Sequence, residues 1–357
     1  MWAEIEPRHY ERSVEAVQLI RSFLGAFVML LPSLEALVRR FGQTLATSHA
    51  STLSYALRRA SSLAMVKVLI ARLEEGFHPG ELALVALDSM AASLRKTQRH
   101  GCKAMTRTAV GGGVLWAFCV DAVRGACPVK MLKFTHGAWS DSKTLMGIDL
   151  VSRGPVYLMD RGFWAIALIG RLLKNQTRFI MRASRQDFTF EIVQTLGLAR
   201  MARRGVRIEI DAIVTLGSKQ RKMRPRVRLV YARTKKGKDL ILVSDRMQWS
   251  AERILESYRQ RWQIERFHRF LKESVGLAHL YNFQQRGLEF LVHVALLLAL
   301  LLFLSDSRGK GLTADILYSL LKNLRLEIGL LGVWRRNTPR WRKRTSKGNR
   351  KGDKTIE

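Results

Sequence analysis

Three acidic residues carry the chemical interest of this chain, and the sharpest lies in "YRQRWQIERFHRFLK", residues 258 to 272, where Glu265 is surrounded by five arginines and lysines. On a helix of about 100° per residue, Tyr258, Arg261, Glu265 and Lys272 fall within an arc of roughly 60°. Ile264, Phe267, Phe270 and Leu271 lie opposite, so the spacing predicts a helix that buries the apolar side and presents the four polar groups as a unit. A solvated, ion-paired helix face shows the same pattern, so further carboxylates must decide. Two apolar, strand-like runs supply them: "LALVALD" ends at Asp88 and "VYLMD" at Asp160. Asp121 ends "VLWAFCVD" in the same manner and is a rival, though a strand-end turn residue is its plainer reading. Acidic groups held at the rim of a sheet are fixed by stiff backbone. Two aspartates and a glutamate are hard oxygen ligands, suited to two Mg²⁺ or Mn²⁺ ions rather than zinc. Such a pair can activate a water or a 3′-hydroxyl and stabilise the leaving oxygen in a phosphodiester displacement. Arg261 and Lys272 would then engage the flanking phosphates, and Tyr258 would donate a hydrogen bond to a phosphate oxygen.

The bulk composition agrees with a polyanionic partner. The 357 residues carry 61 Lys plus Arg against 29 Asp plus Glu, a formal net charge of +32. Self-repulsion on that scale is best tolerated beside nucleic acid, with an anionic membrane surface the second candidate. Hydrophobic residues make up 47%, ample for a large core. Cys102, Cys119 and Cys127 are too few and too irregular for a disulfide framework or thiolate zinc site, which fits a reducing cytoplasm. The opening "MWAEIEPRHYERS" has acids and no early apolar core, unlike a secretory signal. The apolar run from Phe290 to Leu304 is shorter than the roughly 20 residues a spanning helix needs, so it reads as a buried core helix with His293 a satisfied core residue.

These residues must be positioned by several kinds of segment. Residues 1–79 show helical spacing; Ser48 and Ser51 could cap a helix carrying Tyr55, Arg58 and Arg59, either as a helix-turn-helix recognition element or within a plain bundle. Residues 80–182 alternate strand-like and helical runs, the mark of a mixed α/β core. Residues 183–246 turn to β alone, with "TKKGKD" a hairpin turn, and read as a β-rich insertion. Residues 247–331 hold the glutamate helix and further apolar helices, and 332–357 form a basic, aliphatic-poor tail, including Arg342, Lys343 and Arg344, expected to be disordered and to grip DNA without sequence preference.

The Tyr, Arg, Glu, Lys spacing resembles the signature of bacterial DDE transposases of the insertion sequence four family, and the surrounding residues resemble it beyond those four positions. "LALVALDS" is similar to that family's first-aspartate segment and "VYLMDRGF" to its second, in the same order, so the likeness runs over roughly residues 80 to 305. It implies a ribonuclease-H-like catalytic core, interrupted by the β-rich insertion and flanked by helical regions, with Asp88, Asp160 and Glu265 as metal ligands. It also implies cleavage at transposon terminal inverted repeats and strand transfer into target DNA by a homodimer on double-stranded DNA, in the bacterial cytoplasm at the nucleoid and without a membrane. Relatives of this type stack an extruded base on a tryptophan of the insertion; Trp249 is the nearest candidate and reads equally as a helix-entry packing residue. A nuclease on the same fold that only hydrolyses, and a DNA-binding protein without chemistry, are the competing readings. Asp141 in "WSDSK" and His136 are left without a role.

Overall fold

The computed structural model describes residues 14–31, 33–47, 49–74, 84–93, 110–120, 129–135, 141–183, 189–217, 223–277, 285–305 and 319–324. Asp121, His136, Cys102, Cys127 and the tail residues Arg342, Lys343 and Arg344 lie outside them.

The core is one mixed sheet. β1 (Leu84–Ser93), β2 (Val110–Val120) and β3 (Val129–Thr135) pair antiparallel, while β4 (Val156–Met159) and β5 (Arg178–Ala183) join β1 in parallel, in the order β3-β2-β1-β4-β5. Parallel pairing requires a crossover, and α6 (Ile166–Lys174) supplies it between β4 and β5. Every residue of β4 is buried, as expected of a parallel strand covered on both faces. The run "LALVALD" does not end its strand at Asp88: β1 continues to Ser93, paired there with β2 alone.

The β-rich segment continues the same sheet. β6 (Phe190–Gly197), β7 (Arg200–Ala202), β8 (Val206–Leu216), β9 (Arg226–Arg233) and β10 (Asp239–Ser244) extend it in the order β5-β10-β9-β8-β6, with β7 on β8. The turn in "TKKGKD" is present, closed by Thr234 N–H donating to the Lys238 carbonyl at 3.0 Å, with Gly237 at φ +72° where a side chain would be strained.

Helices close the molecule at both ends of the sequence. α1 (Ala16–Met29) and α4 (Ala60–Glu74) pack on α9 (Gln285–Ser305), with Phe23 edge-on to Phe290 at 6.0 Å and Lys67 paired to Glu289 at 2.6 Å. α9 is the expected core helix: His293 is buried and its Nδ1 lies 2.6 Å from the Glu289 carbonyl. No single helix among the described residues is long and apolar enough to cross a membrane. Ser33 caps α2 (Leu34–Phe41), but α3 (Ala50–Ala56) has His49 at its N-cap with no side-chain bond, and Arg58 and Arg59 fall past its end. Arg58 donates to the Ser54 hydroxyl at 3.2 Å and Arg59 lies 5.6 Å from the Tyr55 ring, so these arginines pack against the preceding turn rather than line a long recognition helix.

A buried ion cluster fastens the β extension to the segment that follows it. Asp211 on β8, 2% exposed, accepts from Arg228 on β9 and from Arg200 on β7, each at 3.0 Å. Arg200 also pairs with Glu252 in the first turn of α7 (Ala251–Arg259), and Arg228 donates to the Met247 carbonyl at 2.7 Å. Removing one member leaves a buried charge unpaired, which costs about 3–5 kcal/mol. Asp211→Ala should therefore lower stability by about that amount in urea unfolding, and Asp211→Leu combined with Arg228→Met should recover most of it. A single variant within experimental error of wild type would show that the cluster carries no net stability.

Candidate active site

Strand register puts the first two acids side by side. β1 and β4 run parallel with Leu87 opposite Met159, so the next positions are Asp88 and Asp160. Adjacent strands lie about 4.8 Å apart, and paired residues of a parallel ladder project to the same face. β4 ends there, and Asp160 turns to cap the 3₁₀ turn Arg161–Phe163, its Oδ1 accepting from Gly162 N–H. Gly162 has a second reason to lack a side chain: a Cβ would come within 2.5 Å of Asp141 Oδ2 and 3.1 Å of Asp160 Oδ1. Asp141, at the start of α5 (Asp141–Met146), is thus a further carboxylate of the same cluster, bonded to the Ser89 hydroxyl.

Glu265 approaches from the other side of a single guanidinium. It sits in the first turn of α8 (Trp262–Arg269), where a helix end favours negative charge, and α8 packs on β1 and β2. Arg261 Nη2 donates to Glu265 Oε1 while Nη1 lies 3.9 Å from Asp88 Oδ2. One buried arginine therefore joins the first acid to the third.

The expected four-residue face is corrected here. A single wheel from 258 to 272 assumes unbroken helix, but α7 ends at Arg259, α8 begins at Trp262, and Phe270–Ser274 form a π turn. Each change of winding rotates the following side chains away from the 100° step. Tyr258 and Arg261 are buried, 7% and 9% exposed, Glu265 is half-buried and Lys272 is exposed. Arg261 thus points inward, between Asp88 and Glu265, and Lys272 is the one of the four that is exposed. Ile264, Phe267, Phe270 and Leu271 are buried as expected. Trp249 packs at the entry to α7 with Arg253 4.0 Å from its ring, the helix-entry role.

Electrostatics mark the same place. Burial, joined by the charges of Asp160 and Asp141, pushes Asp88 up to about 7, against the pull of Arg261 and the Ser89 amide. Burial and the Asp160 charge also raise Asp141, opposed by its Ser89 bond. Burial works against the Arg261 charge, but Tyr258, Glu265 and Asp88 outweigh it and hold the guanidinium above its ordinary pKa. Burial pushes the Tyr258 hydroxyl up to about 12, with Arg261 and Arg182 opposing and Asp160 adding. His268, one turn beyond Glu265, has Nδ1 3.6 Å from Asp88 Oδ2. Burial and the charges of Lys272 and Arg261 push it down to about 3, so it faces Asp88 as a neutral imidazole. Asp141 was quoted in the sequence without a role because it follows no strand run; nothing in the spacing singled out His268.

The oxygen donors suit hard divalent cations, and the missing side chain at Gly162 lets the segments carrying Asp141 and Asp160 come close. Among the described residues, no three His, Cys, Asp or Glu side chains converge closely enough to hold an ion as they stand. The fit is one of donor chemistry and strand placement, with Arg261 supplying the positive charge between Asp88 and Glu265.

Residues 130–302 match the family model of the transposase DDE domain, just under half of the chain. This supports a DDE transposase. The match includes Asp141, Asp160, Arg261 and Glu265 and begins after Asp88, whose place rests on strand register. Among solved structures, the chain is similar to piggyBac transposase in its cryo-EM synaptic complex with hairpin DNA, at 12% identity and a TM-score of 0.45, over 90% of this chain and 73% of that one. No curated protein matches.

Asp88 gives the folded chain a pH signature. Its pKa of about 7 exceeds its ordinary 3.8, so the folded chain holds a proton that the unfolded chain releases. The stability this contributes is complete below 3.8 and is lost as pH rises through about 7. In EDTA, wild type should lose stability relative to Asp88→Asn across that window by chemical denaturation. A pH-independent difference would mean that Asp88 ionises normally.

Proposed function

We propose that the chain is a DNA transposase that cuts phosphodiester bonds at transposon terminal inverted repeats and joins the freed 3′-hydroxyl to target DNA. The observation that carries this reading is the placement of Asp88 and Asp160 one position beyond the last pair of β1 and β4, with Arg261 joining Asp88 to Glu265, in a chain whose residues 130–302 match the transposase DDE domain. The strand order β3-β2-β1-β4-β5, with β2 antiparallel to both neighbours, supports a ribonuclease-H-like core.

Asp88, Asp160 and Glu265 would hold two Mg²⁺ or Mn²⁺ ions, with Asp141 beside them, and these would supply Lewis-acid polarisation and an activated water or 3′-hydroxyl. The protein's own groups bind and orient DNA around that centre. Arg161 and Lys272 are exposed beside the acids and can take phosphates, as can Arg182, whose charge reaches Tyr258. The buried Tyr258 stays protonated at physiological pH, a neutral hydroxyl suited to donate to a phosphate oxygen. The neutral His268 and the apolar residues of α8 keep the Asp88 side of the site dry, which strengthens every charge interaction there. The net charge of +32 draws in duplex DNA, and a homodimer on that DNA would hold two transposon ends together.

Purified protein with a transposon-end duplex bearing a 3′-hydroxyl, supercoiled plasmid and Mg²⁺ should yield joined products. Cleavage without joining would favour a hydrolytic nuclease. Glu265→Gln should lower cleavage by about a hundredfold or more, since several kcal/mol of transition-state stabilisation goes with the acid, while DNA binding is retained. An unchanged rate would remove Glu265 from the chemistry. Duplex affinity should fall steeply and linearly in log–log form with salt; a flat response would contradict a phosphate-dominated interface.

A further inference from the structure

We propose that Arg261 is an internal counter-ion that occupies the space between Asp88 and Glu265 until a DNA phosphate draws it away, so that duplex DNA and divalent cations bind this site with positive coupling. The inference rests on the reading above and deepens it by assigning the order in which charges are exchanged.

The geometry is specific. The guanidinium reaches both acids through different nitrogens, Nη1 to Asp88 at 3.9 Å and Nη2 to Glu265. Its stem is buried at the junction of α7 and α8, where successive i to i+3 bonds, Arg261 N–H to the Tyr258 carbonyl and Ile264 N–H to the Arg261 carbonyl, fix the backbone. The Tyr258 ring lies 6.0 Å away. The side chain is therefore placed inward by the fold rather than by a chance surface contact.

A guanidinium in this position and a divalent cation on the same carboxylates exclude each other. Ligands at roughly 2.0–2.6 Å would put the ion within a few ångströms of the arginine charge, inside a partly dry site where like charges repel strongly. A phosphate offers Arg261 an alternative partner, since its paired oxygens match the planar donor fork. Glu265, with its side chain 32% exposed, and the neighbouring Trp262, 53% exposed, lie on the solvent side of the pair, so an incoming backbone can reach it there. Moving the arginine to phosphate returns both carboxylates to the cation. Because coupling is reciprocal, a bound cation would tighten DNA binding by the same factor.

The test is Mn²⁺ binding by the full-length protein, read by electron paramagnetic resonance with and without a short duplex. Wild type should bind Mn²⁺ about tenfold or more tightly with duplex present. Arg261→Met keeps the apolar stem and removes the charge; without DNA it should bind Mn²⁺ about tenfold or more tightly than wild type and gain less from the duplex. Arg261→Lys keeps the charge but not the planar donor fork, so without DNA it should bind Mn²⁺ no more tightly than wild type and should gain less from the duplex. Mn²⁺ affinity in Arg261→Met no higher than in wild type would overturn the proposal. If that variant does not fold, a wild-type affinity unchanged by duplex does so. Glu265→Gln and Asp160→Asn separate the two levels of inference. If wild type with duplex binds Mn²⁺ no better than these variants, the metal site and the transposase reading fall along with the counter-ion. If binding depends on Glu265 but not on Arg261, only the counter-ion role falls.

Discussion

The parallel pairing of β1 with β4 is the constraint on which the site depends. It brings two residues 72 positions apart into neighbouring places at the end of a fully buried strand, and both are aspartates. Burial strips water from Asp88 and the Asp160 charge adds to it, which is why Asp88 is driven up to about 7. An arrangement that costs stability persists where something else requires it, and under the proposed function that is cation and phosphate chemistry. The surrounding elements answer the electrostatic problem that this strand pair creates.

Arg261 answers it from α8, and its reach depends on where that helix begins. α7 is tied through Glu252 to Arg200 and thence to Asp211 in the far half of the sheet. The β extension is thus an anchor as well as an insertion, because it fixes the start of the segment that carries Arg261 and Glu265. The break between α7 and α8 then turns Arg261 inward, where a continuous helix would leave it facing solvent.

Much of this was legible in the sequence, and the rest was hidden for identifiable reasons. Asp160 closes a short apolar run that is a strand, and Glu265 lies among residues whose apolar positions are buried as their spacing predicts. Asp88 was marked by the same kind of run, although the strand continues past it; what places Asp88 is its partner strand, and register is a tertiary fact. Asp141 follows no strand and enters the cluster only because Gly162 lets two segments come close. The wheel that put Tyr258, Arg261, Glu265 and Lys272 on one face holds for the first three, which meet at the Arg261 guanidinium, and loses Lys272 because periodicity cannot reveal a π turn made of good helix formers. Likewise, Ser51 lies inside α3, whose N-cap is His49, while Ser48 lies outside the described residues.

The large positive charge and the small acidic cluster are two sides of one design. A surface that attracts DNA also strengthens the case for burying the acids: carboxylates left in open solvent among so many arginines would form ion pairs with whichever was nearest and lose their fixed geometry. Among the described residues, Arg261 is the arginine paired with both Asp88 and Glu265, held by backbone at a defined junction. That pairing places one positive charge between Asp88 and Glu265, with Asp160 and Asp141 on the acid side of the pocket. Under the proposed function, exchange of Arg261 from carboxylate to phosphate would couple the arrival of DNA to that of the metal.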